Sequence, residues 1–190
     1  MTTPADILAF WFADGPDTFR EAWFRRDDGF DAAIRERFGA ATLVARDGCL
    51  DAWAELPDSA LALLILLDQF PRNLYRGSAG AFASDAHARA IAREVVLRRR
   101  FDLALTPTER GFLYLPFEHS EAMADQDLSV TLFEGLRDDP RCARPGGTID
   151  YAWRHRAVIA RFGRFPHRNA ALRRQSTPEE ETWLAAGGGF

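Results

Sequence analysis

Ala60-Leu61-Ala62-Leu63-Leu64-Ile65-Leu66-Leu67 carries no polar side chain. As a helix this run is apolar around its whole circumference, so other helices must enclose it rather than leave it along a surface. It falls far short of the roughly 20 residues that span a bilayer, which makes it the central helix of a packed domain. Outward from it, helix-start signals recur. Thr3-Pro4-Ala5-Asp6, Thr106-Pro107-Thr108-Glu109 and Thr177-Pro178-Glu179-Glu180 share one design. Threonine caps, proline occupies the first helical position and an acid follows three residues after the cap.

Further helical patterns cover 18–24, 31–45, 58–69, 84–99, 117–137 with a break near Asp125, and 148–162. No stretch alternates with period two between turn dipeptides. The chain therefore reads as all-α, a single domain over 1–190. Its short loops imply antiparallel helix pairs, as in bundles and helical solenoids, and periodicity leaves the choice between those two open.

Composition bounds the rest. The 190 residues are 47% hydrophobic and 12% aromatic, with a net charge of −4, which fits a globular chain with a large core. Cys49 and Cys142 are far apart and form no Cys-x-x-Cys, so neither a disulfide framework nor a zinc knuckle is indicated and a reducing cytoplasm fits best. The run Ile7–Phe12 lacks the basic lead of a signal peptide and is flanked by Asp6 and Asp14. No membrane span is expected. Every basic residue is arginine. Residues 141–174 hold nine arginines against the acid Asp150, and 118–139 hold seven acids against Arg137. These segments are expected to pair with each other, which together with the overall acidity speaks against a nucleic-acid partner.

Two helix ends share an echo, Asp68-Gln69-Phe70-Pro71-Arg72-Asn73 and Gly163-Arg164-Phe165-Pro166-His167-Arg168-Asn169. Proline is expected to stop the helix, phenylalanine to seat the corner, and arginine and asparagine to satisfy the last carbonyls. Asp68, at the negative end of a helix, needs a cationic partner, and Arg72 or Arg164 can supply one. Pro116 should kink or restart the helix begun at Thr106. Beyond it Glu118 and Glu121 share a face if the helix continues, with His119 turned about 100° away. That spacing does not make a metal site, and no metal or cofactor is expected. Gly187-Gly188-Gly189 is a tail rather than a phosphate loop. Trp11, Trp23, Phe24, Trp53 and Phe133 read as core.

Five stretches in order resemble a bacterial family of unknown function, domain of unknown function family 924. They are Ile7–Phe12, Phe30-Asp31, Leu67–Asn73, Tyr114-Leu115-Pro116-Phe117-Glu118-His119-Ser120-Glu121 and Arg161–Asn169, followed by Ser176-Thr177-Pro178-Glu179-Glu180. The resemblance implies a tetratricopeptide-like right-handed superhelix of about eight to ten helices, and it implies no activity. One departure is Leu172-Arg173-Arg174, where the family tends to carry glycine in the middle, so a turn needing positive φ would be strained by Arg173.

No reaction follows from these residues. The expectation is a small-molecule or anion-binding domain whose polar corners converge: Asp68, Arg72, Asn73, Glu118, His119, Glu121, Arg164, His167, Arg168 and Asn169. A scaffold for a protein partner and a hydrolase-like enzyme using Glu118 and His119 are the alternatives.

Overall fold

Thr3, Thr106 and Thr177 each close a capping box. The Asp6, Glu109 and Glu180 carboxylates accept from the N–H of their threonines at 2.8, 2.9 and 2.8 Å. Each threonine hydroxyl accepts in return from the acid's own N–H at 3.3, 3.4 and 3.2 Å. Such reciprocal caps satisfy two otherwise orphaned donors at each helix start.

The computed structural model describes residues 2–190, and among them there is no strand. The helices are α1 (Pro4–Trp11), α2 (Asp28–Arg46), α3 (Pro57–Leu64), α4 (Phe70–Leu74), α5 (Asp85–Ala92), α6 (Pro107–Glu118), α7 (Met123–Glu134), α8 (Pro140–Ala143), α9 (Thr148–Phe162) and α10 (Pro178–Ala185). None is long and apolar enough to cross a membrane among the described residues. The chain forms two compact units. One uses the chain up to Arg76 together with Gly80–Pro116, and the other uses Gly77–Ala79 with Phe117–Phe190.

In the first unit every residue from Ala60 to Phe70 is buried. The side chains of α3 pack against α1 and α5, while α2 covers the turn that follows. Each buried leucine there contributes roughly 1.5–3 kcal/mol. Around them Trp11 makes ring contacts with Trp23, Phe30, Phe70 and Phe112.

At three places the local structure departs from the sequence expectation. Pro71 does not stop the central helix, because a π turn over Ile65–Gln69 leads straight into α4. The Phe70 N–H bonds to Ile65 O, five residues back. Pro71 has no N–H for the Leu67 carbonyl, and the Ser84 hydroxyl donates to it instead at 2.5 Å. The stretch 18–24 shortens to a 3-10 turn at Glu21–Trp23. Its side chains are recruited to cap α1, Arg20 donating to Phe10 O at 2.8 Å and the Trp23 indole to Trp11 O at 2.9 Å. Phe24 is 55% exposed rather than core.

In the second unit α7 packs along α9. The acidic and basic segments do pair: Arg156 with Asp127 at 2.7 Å, Arg174 with Glu121 at 2.7 Å, and the Trp153 indole N–H with Glu134 at 2.8 Å. Beneath them Val158, Ile159 and Phe165 pack with Met123, Phe162 and Trp183.

Candidate functional site

Pro116 lies inside α6, which ends two residues later at Glu118. Residues 119–122 then leave the helical conformation before α7 begins. The break therefore falls at His119–Ala122 rather than near Asp125, and Glu118 and Glu121 do not share a helix face. Carbonyls exposed by this break are taken up by side chains. Gln126 Nε2 donates to Glu118 O at 2.7 Å and to Ser120 O at 2.6 Å. Arg168 Nη1 donates to His119 O at 3.0 Å. Asp125, in the first turn of α7, accepts from the Ser120 hydroxyl at 2.7 Å.

The α9 helix presents Ile149, Ala152, His155 and Ile159 inward, which places His155 on an apolar stripe with 6% exposure. Its Nδ1 lies 2.9 Å from Tyr151 O and 3.2 Å from Glu118 Oε1. A carbonyl only accepts, so Nδ1 carries the proton and the ring offers Nε2 as a lone pair. Nε2 makes no hydrogen bond to any described residue. Burial, reinforced by His119, holds the His155 pKa well below the ordinary histidine value despite the hydrogen bond to Tyr151 O, so the ring is neutral near pH 7.

The second Phe-Pro corner follows Gly163, which ends α9 at φ 69°, and continues as a 3-10 turn over Pro166–Arg168. Much of the polarity there is spent locally. Glu121 accepts from Phe165 N–H at 2.8 Å and from both Arg174 terminal nitrogens at 2.7 and 2.9 Å. Burial opposes that charge, but the Arg174 and Phe165 hydrogen bonds hold the Glu121 pKa below the usual range. Arg164 forks onto Glu180 at 2.6 and 2.7 Å. Asn169 Nδ2 donates to Ser176 Oγ at 3.0 Å and to Glu180 Oε2 at 3.3 Å. At the end of this corner Arg173 stands at φ 54°, the left-handed turn expected where the family tends to carry glycine.

Around His155 stand His119, at 6.2 Å between ring centroids, the buried Glu118 and Arg168, and His167. The His167 Nδ1 is buried and makes no hydrogen bond. Burial, together with nearby Arg168 and His119, lowers the His167 pKa to about 4. Three of the four histidines in the chain thus share one neighbourhood. Two of them are held neutral chiefly by burial, with the charge of Arg168 adding to it.

Phe190 covers this neighbourhood. Its ring stacks on His155 at 3.6 Å and 12°, with Phe165 edge-on at 90° and His167 at 83°. Gly187 and Gly189 reach positive φ of 84° and 143° on the way, and a Cβ on Gly188 would stand 2.3 Å from the Trp183 ring. Phe190 stays 51% exposed. Half-burying a phenyl contributes roughly 1 kcal/mol, while ordering each backbone residue of the segment costs about 1 kcal/mol or more. The contact is marginal in energy.

In the first unit, Asp68 is fully buried and lies 3.3 Å from Arg72, which also forks onto Asp85 at 3.1 and 3.2 Å. Asn73 donates to Asp31 at 2.7 Å, and Arg76 forks onto the same carboxylate. Asp68 sits inside the π turn within a continuing helical rod, so the helix-end argument for it does not hold. Its partner is nonetheless Arg72, as expected.

His155 is the functional candidate that motif reading missed. Its signal was the 3, 3, 4 spacing of Ile149, Ala152, His155 and Ile159, which puts an imidazole on a buried stripe. A surface depression of about 490 Å³ lined by Glu21, Ala22, Arg25, Arg26 and Asp27 lies in the first unit. Its cations are already paired, Arg25 with Glu21 and Arg26 with Asp28, so the histidine cluster is the better candidate. Among the described residues no three His, Cys, Asp or Glu side chains are placed to hold a metal ion.

The protein of unknown function ATU0120 from Agrobacterium tumefaciens has a similar structure, with 42% sequence identity over 97% of both chains and a TM-score of 0.85. Among curated proteins none matches significantly. Residues 7–188 match the family model described as bacterial protein of unknown function, DUF924. From the first helix to the glycine segment, the chain belongs to this bacterial family of unknown function.

Proposed function

We propose that the second unit binds a small anionic ligand at Glu118, His119, His155, His167 and Arg168. One observation carries this reading: the buried His167 Nδ1 makes no hydrogen bond beside the neutral, oriented His155 and the Arg168 guanidinium. Buried polar atoms are almost always paired, and an unpaired one at a polar cluster calls for a partner that an anion can supply. An anion there supplies the negative charge that lets a histidine take up a proton, so binding and proton uptake are coupled. Glu121 and Arg164 shape the corner through their own ion pairs, and Asn169 through its hydrogen bonds to Ser176 and Glu180. Asp68, Arg72 and Asn73 lock the first unit's helices.

The test is thermal unfolding with acetate, phosphate and citrate at pH 6 and 8. A bound anion at a hundred times its dissociation constant adds about 2.7 kcal/mol, and the shift should be larger at pH 6 and weaken in His155→Gln. Equal midpoints with and without every anion at both pH values would reject the site.

The contact of His155 with Glu118 favours a second reading. A carboxylate that orients a histidine through Nδ1 and leaves Nε2 open is the orienter and base of a general-base catalyst. In that reading His155, rather than His119, is the base. Hydrolysis of a test ester panel that survives His155→Gln would remove it.

A further inference from the structure

We infer that the space now filled by the Phe190 ring is a subsite for a flat aromatic ring, so that the ligand of the histidine cluster is an aromatic carboxylate. The inference rests on the anion-binding reading and adds the shape of the ligand to it.

The Phe190 ring is held on three sides. Its face lies on the His155 imidazole at 3.6 Å and 12°, and two further rings meet it edge-on, Phe165 at 90° and His167 at 83°. A floor and two perpendicular walls form a slot that selects a planar ring, because stacked and edge-to-face contacts both align with the ring quadrupole. The slot is built by side chains that are fixed independently of Phe190. His155 is anchored by Tyr151 O and Glu118, and Phe165 by the bond from its N–H to Glu121. The segment that brings Phe190 is different in kind. Gly187-Gly188-Gly189 has no side chain to anchor it and is held by two backbone bonds to the end of α10, Gly187 N–H donating to Leu184 O at 3.0 Å and Gly188 N–H to Trp183 O at 2.9 Å.

A slot built on anchored residues and filled through three glycines is a site with a removable intramolecular occupant. The polar groups lie beside the same slot: His167 forms one wall, its Nδ1 is buried and unbonded, and the Arg168 guanidinium stands 4.4 Å over the Phe165 ring that forms the other. A ring in the slot with a carboxylate directed at these groups would satisfy both features at once. Phe190 then competes with the ligand, and the apparent affinity is reduced by the fraction of molecules in which the slot is already filled.

The test is calorimetric titration of the full chain with benzoate and, separately, with acetate and with inorganic phosphate. Three proteins are compared: the unaltered chain, Phe190→Ala, which removes the occupant, and Gly188→Ala, whose added Cβ would collide with Trp183 and lift the segment without touching the slot. The expected result is tighter binding of benzoate than of acetate by the unaltered chain. Both variants should then gain about threefold to tenfold for benzoate with acetate unchanged. Benzoate binding that is unchanged or weaker in both variants overturns the aromatic subsite, as does an equal gain for acetate. Either of these patterns leaves the anion site standing. Failure of all three proteins to bind acetate, benzoate or inorganic phosphate overturns the anion site and this inference together.

Discussion

His155 Nδ1 lies 3.2 Å from Glu118 Oε1, with both side chains buried and the imidazole held neutral. The carboxylate comes from the last residue of α6 and the imidazole from the middle of α9, so the pair joins the helix break to the long helix behind it. Any positive charge formed on His155 would meet its counter-charge at once. Glu118→Gln keeps the shape and a carbonyl acceptor but loses that charge. The expected outcome is a folded protein whose affinity for acetate at pH 6 drops about tenfold, the equivalent of roughly 1.4 kcal/mol, as read by titration calorimetry. An unchanged affinity would mean that the pair orients nothing that binding uses.

Histidine burial also sets a pH dependence. The His167 pKa falls to about 4 from 6.5, so below 6.5 the unfolded chain binds a proton that the folded chain refuses. Stability is complete above pH 6.5 and is lost as pH falls toward 4, by on the order of 3 kcal/mol for this residue. The carboxylates act lower, since the Arg164 hydrogen bonds bring Glu180 to about 2 and its contribution fades only below 4.5. Urea unfolding at pH 7 and 4.5 should show the loss, and His167→Asn should reduce it. An equal loss in the variant would place the proton elsewhere.

Arg173 at φ 54° is exposed and outside any helix. A left-handed conformation costs a non-glycine residue roughly 1–2 kcal/mol, part of which glycine returns as unfolded-state entropy. Arg173→Gly is therefore expected to stabilise the protein by about 0.5–1 kcal/mol and raise Tm by a few degrees. A lower Tm would show that the arginine side chain does something there that outweighs the backbone.

The two compact units are joined within α6, which runs from Pro107 to Glu118 across their boundary. We propose that the chain is one cooperative domain, because ending one unit would cut a helix in its last turn. Calorimetry should give a single transition with equal van't Hoff and calorimetric enthalpies. Two separable transitions would contradict it.

Much of this was legible in the sequence for identifiable reasons. Capping boxes are local, so Thr3, Thr106 and Thr177 fixed their helix starts without tertiary information. The run from Ala60 to Leu67 could only be a core helix. Where tertiary contacts supply the missing hydrogen bond, sequence reading failed. Ser84 takes the carbonyl that Pro71 cannot serve, and Arg20 with Trp23 caps α1 in place of a further helix. The candidate site was half legible. Its motif residues stand together in the Glu118 to Glu121 turn and the second corner. Which of them pair off, Glu121 with Arg174 and Arg164 with Glu180, depends on packing between distant segments. His155 escaped because a single histidine on an apolar stripe looks like any other core position until Glu118 is seen beside it.

The most direct measurement is an NMR titration of the four histidine side chains from pH 4 to 8, with and without benzoate. In the free protein His155 is expected to stay the neutral Nδ1–H tautomer and His167 to titrate near 4. Benzoate should move both titrations upward. Free-protein curves for His155 and His167 at ordinary histidine values, or curves that benzoate leaves unmoved, would contradict these expectations.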